Sequence, residues 1–516
     1  MVKKAFIRGT LILFTANLFN RIIAFVYQYL IMSWVGAESY GIYQMVFPTY
    51  MMALVLTTAG LPLAVSKMVS EQVALGNKAT AQKTFRIALT LLLCSGVIVS
   101  VLVFFVMPYL SGPLFPDPRV LPVFLVCVPA IFVVAACSAF RGYFQGLQQM
   151  SPTALAQVFE QITRIGIGIT LSVKLLPYGV EYGAVGLATG MVVGEVVGFL
   201  VVLWFYRKHR KQSSFQQDAP IPSILHLMKR LFALGLPITA GRLIQSGAST
   251  ADSILIPLRL QVAGYSMREA ATLYGQLGGA AFTLMTFPSV FTMSLATSLV
   301  PAISEATAKK HFGTVQYRIA EALRFTVLIG TPFLVFLYFF APELTDIFKS
   351  PNAAGVLSTL TIGGLFLYLQ STTSGILQGL GYPQIPVLHS VIASPIKLIL
   401  IYYLTAMPNL GLVGTAWSFN FAFFLVSFLN FIAIAYKGGF TIELEKLFLQ
   451  PLAAGMVMAA AIYFSRDRLP IDSVPLLLIS EFSLGALVYL ATLFFNRGLT
   501  RQDIKRIPFI GRIISF

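Results

Sequence analysis

The sequence predicts an all-α polytopic membrane protein: about 14 transmembrane helices, as two pseudo-symmetric six-helix lobes followed by two C-terminal helices. Composition, the spacing of apolar runs and an internal repeat predict it. Of 516 residues, 57% are hydrophobic and only 11% are charged, with a mean hydropathy of +0.81. A soluble chain of this length could not hydrate such a surface.

A span needs about 20 apolar residues at roughly 1.5 Å each. Apolar runs of that order fall at 7–35, 41–66, 87–109, 120–140, 153–176, 183–206, 231–257, 271–303, 319–341, 353–378, 385–406, 411–436, 446–465 and 474–496. With the N-terminus in the cytoplasm, the loops, the tail and the adjoining helix ends on that side hold 24 Lys and Arg. That count takes in the loop 141–151 with its Arg141, and the opposite loops hold six: Arg119, Arg259, Arg268, Lys349, Arg466 and Arg468. This asymmetry predicts both termini inside a bacterial cytoplasmic membrane. The net charge of +17 is thereby assigned to topology, and no basic, aromatic-interleaved domain exists to hold nucleic acid. Cys94, Cys127 and Cys137 lie within apolar runs without metal-ligand spacing. No small-residue cleavage pattern follows the basic start, so the first helix is expected to be retained.

The polar stretch Arg207 to Arg230 is basic, then rich in Gln and Ser, then broken by proline, which suits a connector between halves. Short matches recur in order on its two sides: Gln145-Gly146-Leu147 with Gln378-Gly379-Leu380, Gly183 to Ala188 with Gly411 to Ala416, and Tyr40-Gly41 with Tyr274-Gly275. The same alignment carries Arg21 onto Arg242 and Arg164 onto Lys397. The expected organisation is an N-lobe (1–210, helices 1–6), a linker (211–230), a C-lobe (231–437, helices 7–12), a helix pair (438–496) and a basic tail (497–516). Repeats of this kind build alternating-access transporters with the site at the repeat interface.

Charges inside the spans are the candidate functional groups, because an ionisable side chain at mid-bilayer costs about 2.5–3.5 kcal/mol on insertion scales. Arg21 sits halfway along the first run. With Arg242, its counterpart in the other lobe, it forms a candidate receptor for a phosphate or pyrophosphate through bidentate guanidinium contacts. The alternative is that each arginine pairs within its own lobe. Glu160 and Arg164 stand at i, i+4, a self-neutralising arrangement that favours a structural role over a substrate contact. Lys397 has Ala393 at i−4 and is the third candidate cation. Asp252 lies amid Gln245, Ser246, Ser249, Thr250 and Ser253 and is the candidate for coupling to Na+ or H+, or the counter-ion of Arg242. Glu195, flanked by Gly194 and Gly198, is expected on a polar seam between closely packed helices. Gly60-Leu61-Pro62, Gly235-Leu236-Pro237, Phe287-Pro288-Ser289 and Pro301 are candidate helix interruptions.

The run Gly9 to Leu13, then Gly36, Tyr40-Gly41-Ile42-Tyr43, Phe47-Pro48-Thr49 and Gly60 to Lys67 resembles the opening of the stage V sporulation protein B family of polysaccharide-type transporters. Phe287-Pro288-Ser289 with Leu295 to Ser304 resembles the eighth helix of murein-precursor flippases in the same multidrug/oligosaccharidyl-lipid/polysaccharide (MOP) superfamily. The resemblance implies a two-lobe, MATE-like flippase without enzymatic chemistry or organic cofactor. Its substrate would be an undecaprenyl-pyrophosphate-linked saccharide moved from inner to outer leaflet, in spore cortex or envelope peptidoglycan synthesis. It also implies that Arg21 faces a central cavity and that a sodium site falls near Asp252. Membrane lipids and proteins of envelope or cortex synthesis are the implied partners. Where murein flippases carry further basic residues, this chain reads Phe25-Val26-Tyr27-Gln28 and Tyr274-Gly275-Gln276-Leu277.

Three other readings compete. A cation-coupled drug exporter of the same superfamily needs an acidic cavity. A membrane-embedded glycosyltransferase or ligase needs carboxylates or His to activate an acceptor, usually on large outer loops. An envelope-assembly scaffold needs neither.

Overall fold

The computed structural model describes residues 22–212, 222–439, 445–466, 468, 473–496 and 498. Among them every regular element is a helix, as apolar backbone in lipid must be to satisfy its own hydrogen bonds. The elements are α1 (Ile22–Val35), α2 (Ala37–Thr58), α3 (Leu61–Ala74), α4 (Lys78–Leu114), α5 (Val120–Gly146), α6 (Ser151–Leu175), α7 (Val180–Gln212), α8 (Ile224–Val262) and α9 (Met267–Gln276). They continue as α10 (Phe282–Thr286), α11 (Ser289–Ala308), α12 (Phe312–Phe339), α13 (Ala341–Ile347), α14 (Ala354–Gly379), α15 (Gln384–Leu404), α16 (Leu412–Gly438), α17 (Gln450–Ser465) and α18 (Val474–Phe495). Eleven helical stretches among the described residues are long and apolar enough to cross a membrane.

The chain divides into two compact units, Met1–Gly279 and Ala280–Phe516. Compactness thus separates the chain after α9, beyond the seventh expected span, whereas the internal repeat places its division at the 211–230 linker.

In the first unit, Leu61, Val65, Met68, Phe85, Leu92, Phe140 and Phe144 form a buried core between α3, α4 and α5. Large apolar residues such as Phe105 and Trp204 remain exposed, which in a bilayer is the lipid-facing surface. Two of the expected interruptions are real. The α2–α3 break falls where Ala59 and Gly60 take left-handed φ values of 43° and 64°, and Pro62 then sits in the first turn of α3. Gly60 is also packed so tightly that a Cβ there would lie 2.4 Å from the Gly235 carbonyl oxygen. The second break, at Phe287-Pro288, separates α10 from α11. By contrast α8 runs unbroken through Pro237 and α11 through Pro301; neighbouring helices and local adjustments can satisfy the backbone groups that a membrane proline frees.

The repeat-related glycines Gly41 and Gly275 meet. A Cβ on Gly41 would come within 1.9 Å of the Ala271 carbonyl oxygen, and one on Gly275 within 1.9 Å of the Ala37 oxygen. Only glycine permits α2 and α9 this approach.

In the second unit, Ile303, Ile319, Leu323, Val327, Leu369, Ile376 and Ile434 bind α11, α12, α14 and α16 into one core, while Met458, Ile462, Tyr489 and Leu493 seat α17 and α18.

Candidate functional site

Charge within the first unit is organised around Glu160. One turn away on α6, the Arg164 Nη2 donates to Glu160 Oε1 at 2.9 Å, so the pair expected from its spacing is formed. From α5, Arg141 Nη2 donates to Glu160 Oε2 at 2.8 Å, and Arg164 also reaches Glu195 Oε1 on α7 at 3.3 Å. All four side chains are largely buried, with 12–23% of their surface exposed. Two guanidiniums and two carboxylates therefore alternate, and their formal charges cancel. Leaving any one of them without its counter-charge at this depth would cost several kcal/mol.

The sequence brings them together through glycine. Gly186, Gly190, Gly194 and Gly198 recur every four residues along α7 and face α6. A Cβ on Gly190 would fall 2.2 Å from Gly168 Cα, and one on Gly194 2.8 Å from the Glu160 carbonyl oxygen. Helix axes this close let the Glu195 carboxylate reach Arg164. The polar seam expected at Glu195 is present, and its carboxylate is met there by Arg164 of α6.

Arg141, the partner of Glu160 on α5, is the member of the cluster that the sequence did not single out, and it corrects the topology count. The expected cytoplasmic loop from 141 is helix as far as Gly146, and Arg141 is one of the largely buried side chains of the cluster. A signal was available. Gly142 and Gly146 stand four apart just beyond the apolar run, and both pack against backbone, at Pro62 and Ser66, as the end of a helix does.

The remaining candidates are not part of this cluster. Arg21 lies outside the described residues. Arg242 is exposed on α8 and forms no hydrogen bond or ion pair with another described residue. Asp252, further along the same helix, is buried beside Thr250 and Ser253 and lies within electrostatic range of Tyr274. In the second unit Lys397 is 9% exposed, and its Nζ stands 4.7 Å from the centroid of Phe419. An ammonium over an aromatic face is held by the ring quadrupole, so here Lys397 is lodged between α15 and α16.

A second cluster joins the start of α2 to the α4–α5 connection. Arg119 Nε and Nη2 lie 3.0 and 2.8 Å from the two oxygens of Asp117, and Nη1 lies 2.6 Å from Glu38 Oε1. Burial opposes the Arg119 charge, but the hydrogen bonds and negative charge of Asp117 and Glu38 more than offset it, holding the guanidinium above its ordinary pKa. Among the described residues, no group of three or more His, Cys, Asp or Glu side chains is arranged to hold a metal ion.

This arrangement can hold and neutralise charge inside a membrane, and comparison with known proteins supplies the family. The model of the family described as polysaccharide biosynthesis protein matches residues 6–307, more than half of the chain. The chain belongs to the polysaccharide biosynthesis protein family. A second model, MatE, matches residues 277–403. This family member is 32% identical to Stage V sporulation protein B of Bacillus subtilis (strain 168) over 100% of both chains. It is 27% identical to Lipid II flippase MurJ of the same organism over 76% of each chain. A solved structure of lipid II flippase MurJ, inward closed conformation, shares its fold with a TM-score of 0.69 at 18% identity, covering 94% of this chain and 99% of that one. The expected family and the all-helical multi-pass fold class are thereby established, and the protein is a membrane transporter of the MOP superfamily.

Proposed function

We propose that this family member is a flippase. It carries an undecaprenyl-pyrophosphate-linked saccharide from the inner to the outer leaflet by alternating access, with both termini cytoplasmic, in the assembly of cortex or envelope polysaccharide. The observation that carries this reading is the 27% identity, over 76% of each chain, to a protein named as a lipid II flippase. The full-length likeness to a sporulation protein supports the cortex context. Arg21 and Arg242 receive the pyrophosphate, and Lys397 is a separate anion-binding candidate in the second unit. Arg164 and Glu160 act as the frame that holds α5, α6 and α7 together, because their charges are already met by Arg141 and Glu195. Transport of this kind needs no covalent chemistry on the substrate. The same pairing disfavours the drug-exporter reading, since Glu160 and Glu195 already neutralise arginines and are poorly placed to attract a cationic drug.

The test is outward movement of fluorescent undecaprenyl-pyrophosphoryl saccharide in proteoliposomes. A charge-assisted hydrogen bond contributes about 1.5–3 kcal/mol, so Arg21→Ala and Arg242→Ala should each slow flipping by about tenfold or more. Wild-type rates in both variants at equal incorporation would overturn the assignment of the site. Absence of flipping by the unmodified protein would overturn the function.

A further inference from the structure

Helices α14, α15 and α16 pack together in the second unit and contain not one carboxylate. Their ionisable groups are His389, Lys397, Lys437 and a few tyrosines (Tyr368, Tyr402, Tyr403 and Tyr436). Only histidine among these ordinarily changes charge between about pH 5 and 8.

His389 is held by a hydrogen-bond chain whose polarity can be read off. Its Nδ1 lies 2.7 Å from Oδ1 of Asn430, which is fully buried. The other end of that amide, Nδ2, lies 3.0 Å from Thr373 Oγ1 and 3.4 Å from Ser374 Oγ. Both hydroxyls already donate to backbone carbonyls, Thr373 to Leu369 and Ser374 to Gln370, each at 2.7 Å. Toward Asn430 the two hydroxyl oxygens can therefore only accept. That fixes the amide NH2 on the hydroxyl side and its oxygen on the imidazole side. The Asn430 oxygen can only accept as well, so Nδ1 of His389 must carry the hydrogen, and the neutral ring has its lone pair on Nε2.

We propose that His389 is a proton-binding site of this transporter. A proton delivered by hydronium bonds to the Nε2 lone pair and releases water, while Nδ1–H keeps its bond to Asn430. The ring can thus change charge without breaking its own support. The surroundings decide when it does so. α14 presents hydroxyls and no charge apart from what Tyr368 could ionise to. α15 and α16 contribute Lys397 and Lys437, which oppose a further positive charge. An anionic headgroup that meets Lys397 offsets that opposition and favours protonation. Proton and anion binding then reinforce each other by the same factor in both directions. The inference rests on the flippase reading for the identity of that anion, and it names H+ as the coupled ion.

The experiment uses the full-length protein in detergent with 15N-labelled histidine, titrated between about pH 5 and 8 with and without undecaprenyl pyrophosphate. His389→Asn is the control variant: its amide can still donate to Asn430 but cannot take up a proton. The expected result is one imidazole that gains a proton at Nε2 within this range, shifts its midpoint upward on adding undecaprenyl pyrophosphate, and is missing from His389→Asn. Asn430→Asp should raise the same midpoint by about one pH unit or more, because a carboxylate replaces the amide. In proteoliposomes, flipping by His389→Asn should lose the pH dependence that the unmodified protein shows. A His389 ring that stays neutral throughout, or a wild-type pH profile in His389→Asn, would overturn the proposal. The ring titration does not depend on transport, so a protein that titrates as described yet moves no lipid would count against the flippase reading alone.

Discussion

Replacing Arg141 by Met removes the charge from the Arg141–Glu160–Arg164–Glu195 cluster while an unbranched side chain still fills the space. The cluster then carries a net charge of −1 in a site with 12–23% of each side chain exposed. Loss of one partner from a buried pair costs about 3–5 kcal/mol. The lower figure applies here because Glu160 keeps its 2.9 Å contact with Arg164. Glu160→Gln errs in the opposite direction, leaving both arginines facing Glu195 alone, and should cost a similar amount. The double variant restores neutrality, since Arg164 and Glu195 remain as a pair at 3.3 Å. It should therefore be more stable than either single variant, with a coupling of about 2–3 kcal/mol in the double-mutant cycle. Unfolding free energies in mixed micelles titrated with sodium dodecyl sulfate give the four corners of that cycle. If the two costs simply add, to about 6 kcal/mol, the charges do not compensate one another and the frame assigned to α5, α6 and α7 is wrong.

Three further outcomes are expected. Gly275→Ala and Gly41→Ala should each cost about 1–3 kcal/mol by overpacking, and less than the sum when combined, because one displacement relieves both 1.9 Å clashes; the same denaturation assay measures this. Arg119→Gln should destabilise by about 3 kcal/mol, since it strips the buried Asp117 of its guanidinium, and fluorescence-monitored unfolding would detect it. At the start of α9, the Ser266 hydroxyl and then its backbone N–H hold the Glu269 carboxylate below its ordinary pKa. A depressed carboxylate stabilises above the unfolded value of about 4.3 and loses that contribution as pH falls through the folded value. Hydrogen exchange at the first turn of α9 should accordingly lose protection in acid, and Glu269→Gln should remove the pH dependence.

Much of the fold could be read from the chain, because a bilayer allows few choices. Long apolar runs must be helices, and the loops between them collect the lysines. Local signals also held where their physics is local: Glu160 and Arg164 share a face because four residues make about one turn, and Gly194 and Gly198 do mark a close crossing. What was illegible depended on contacts far apart in sequence. Arg141 reads as a loop residue by hydropathy, and only Glu160 on the next helix explains its burial. Pro237 and Pro301 look like breaks, yet their helices continue. Lys397 reads as a free cation until Phe419 is placed beside it. The orientation of His389 is set by an asparagine on another helix, itself oriented by hydroxyls on a third. No periodicity encodes such a chain of donors and acceptors.

The cancellation of charge around Glu160 has an electrical consequence. Each elementary charge crossing a potential of 100 mV exchanges about 2.3 kcal/mol with the field, whereas a cluster summing to zero exchanges nothing when displaced as a body. Displacement of this cluster should therefore be invisible as a gating current. Any voltage dependence of turnover must then be carried by the cargo, by a proton at the imidazole, or by cations such as Arg242 and Lys397. Capacitance transients recorded with and without cargo would tell these carriers apart.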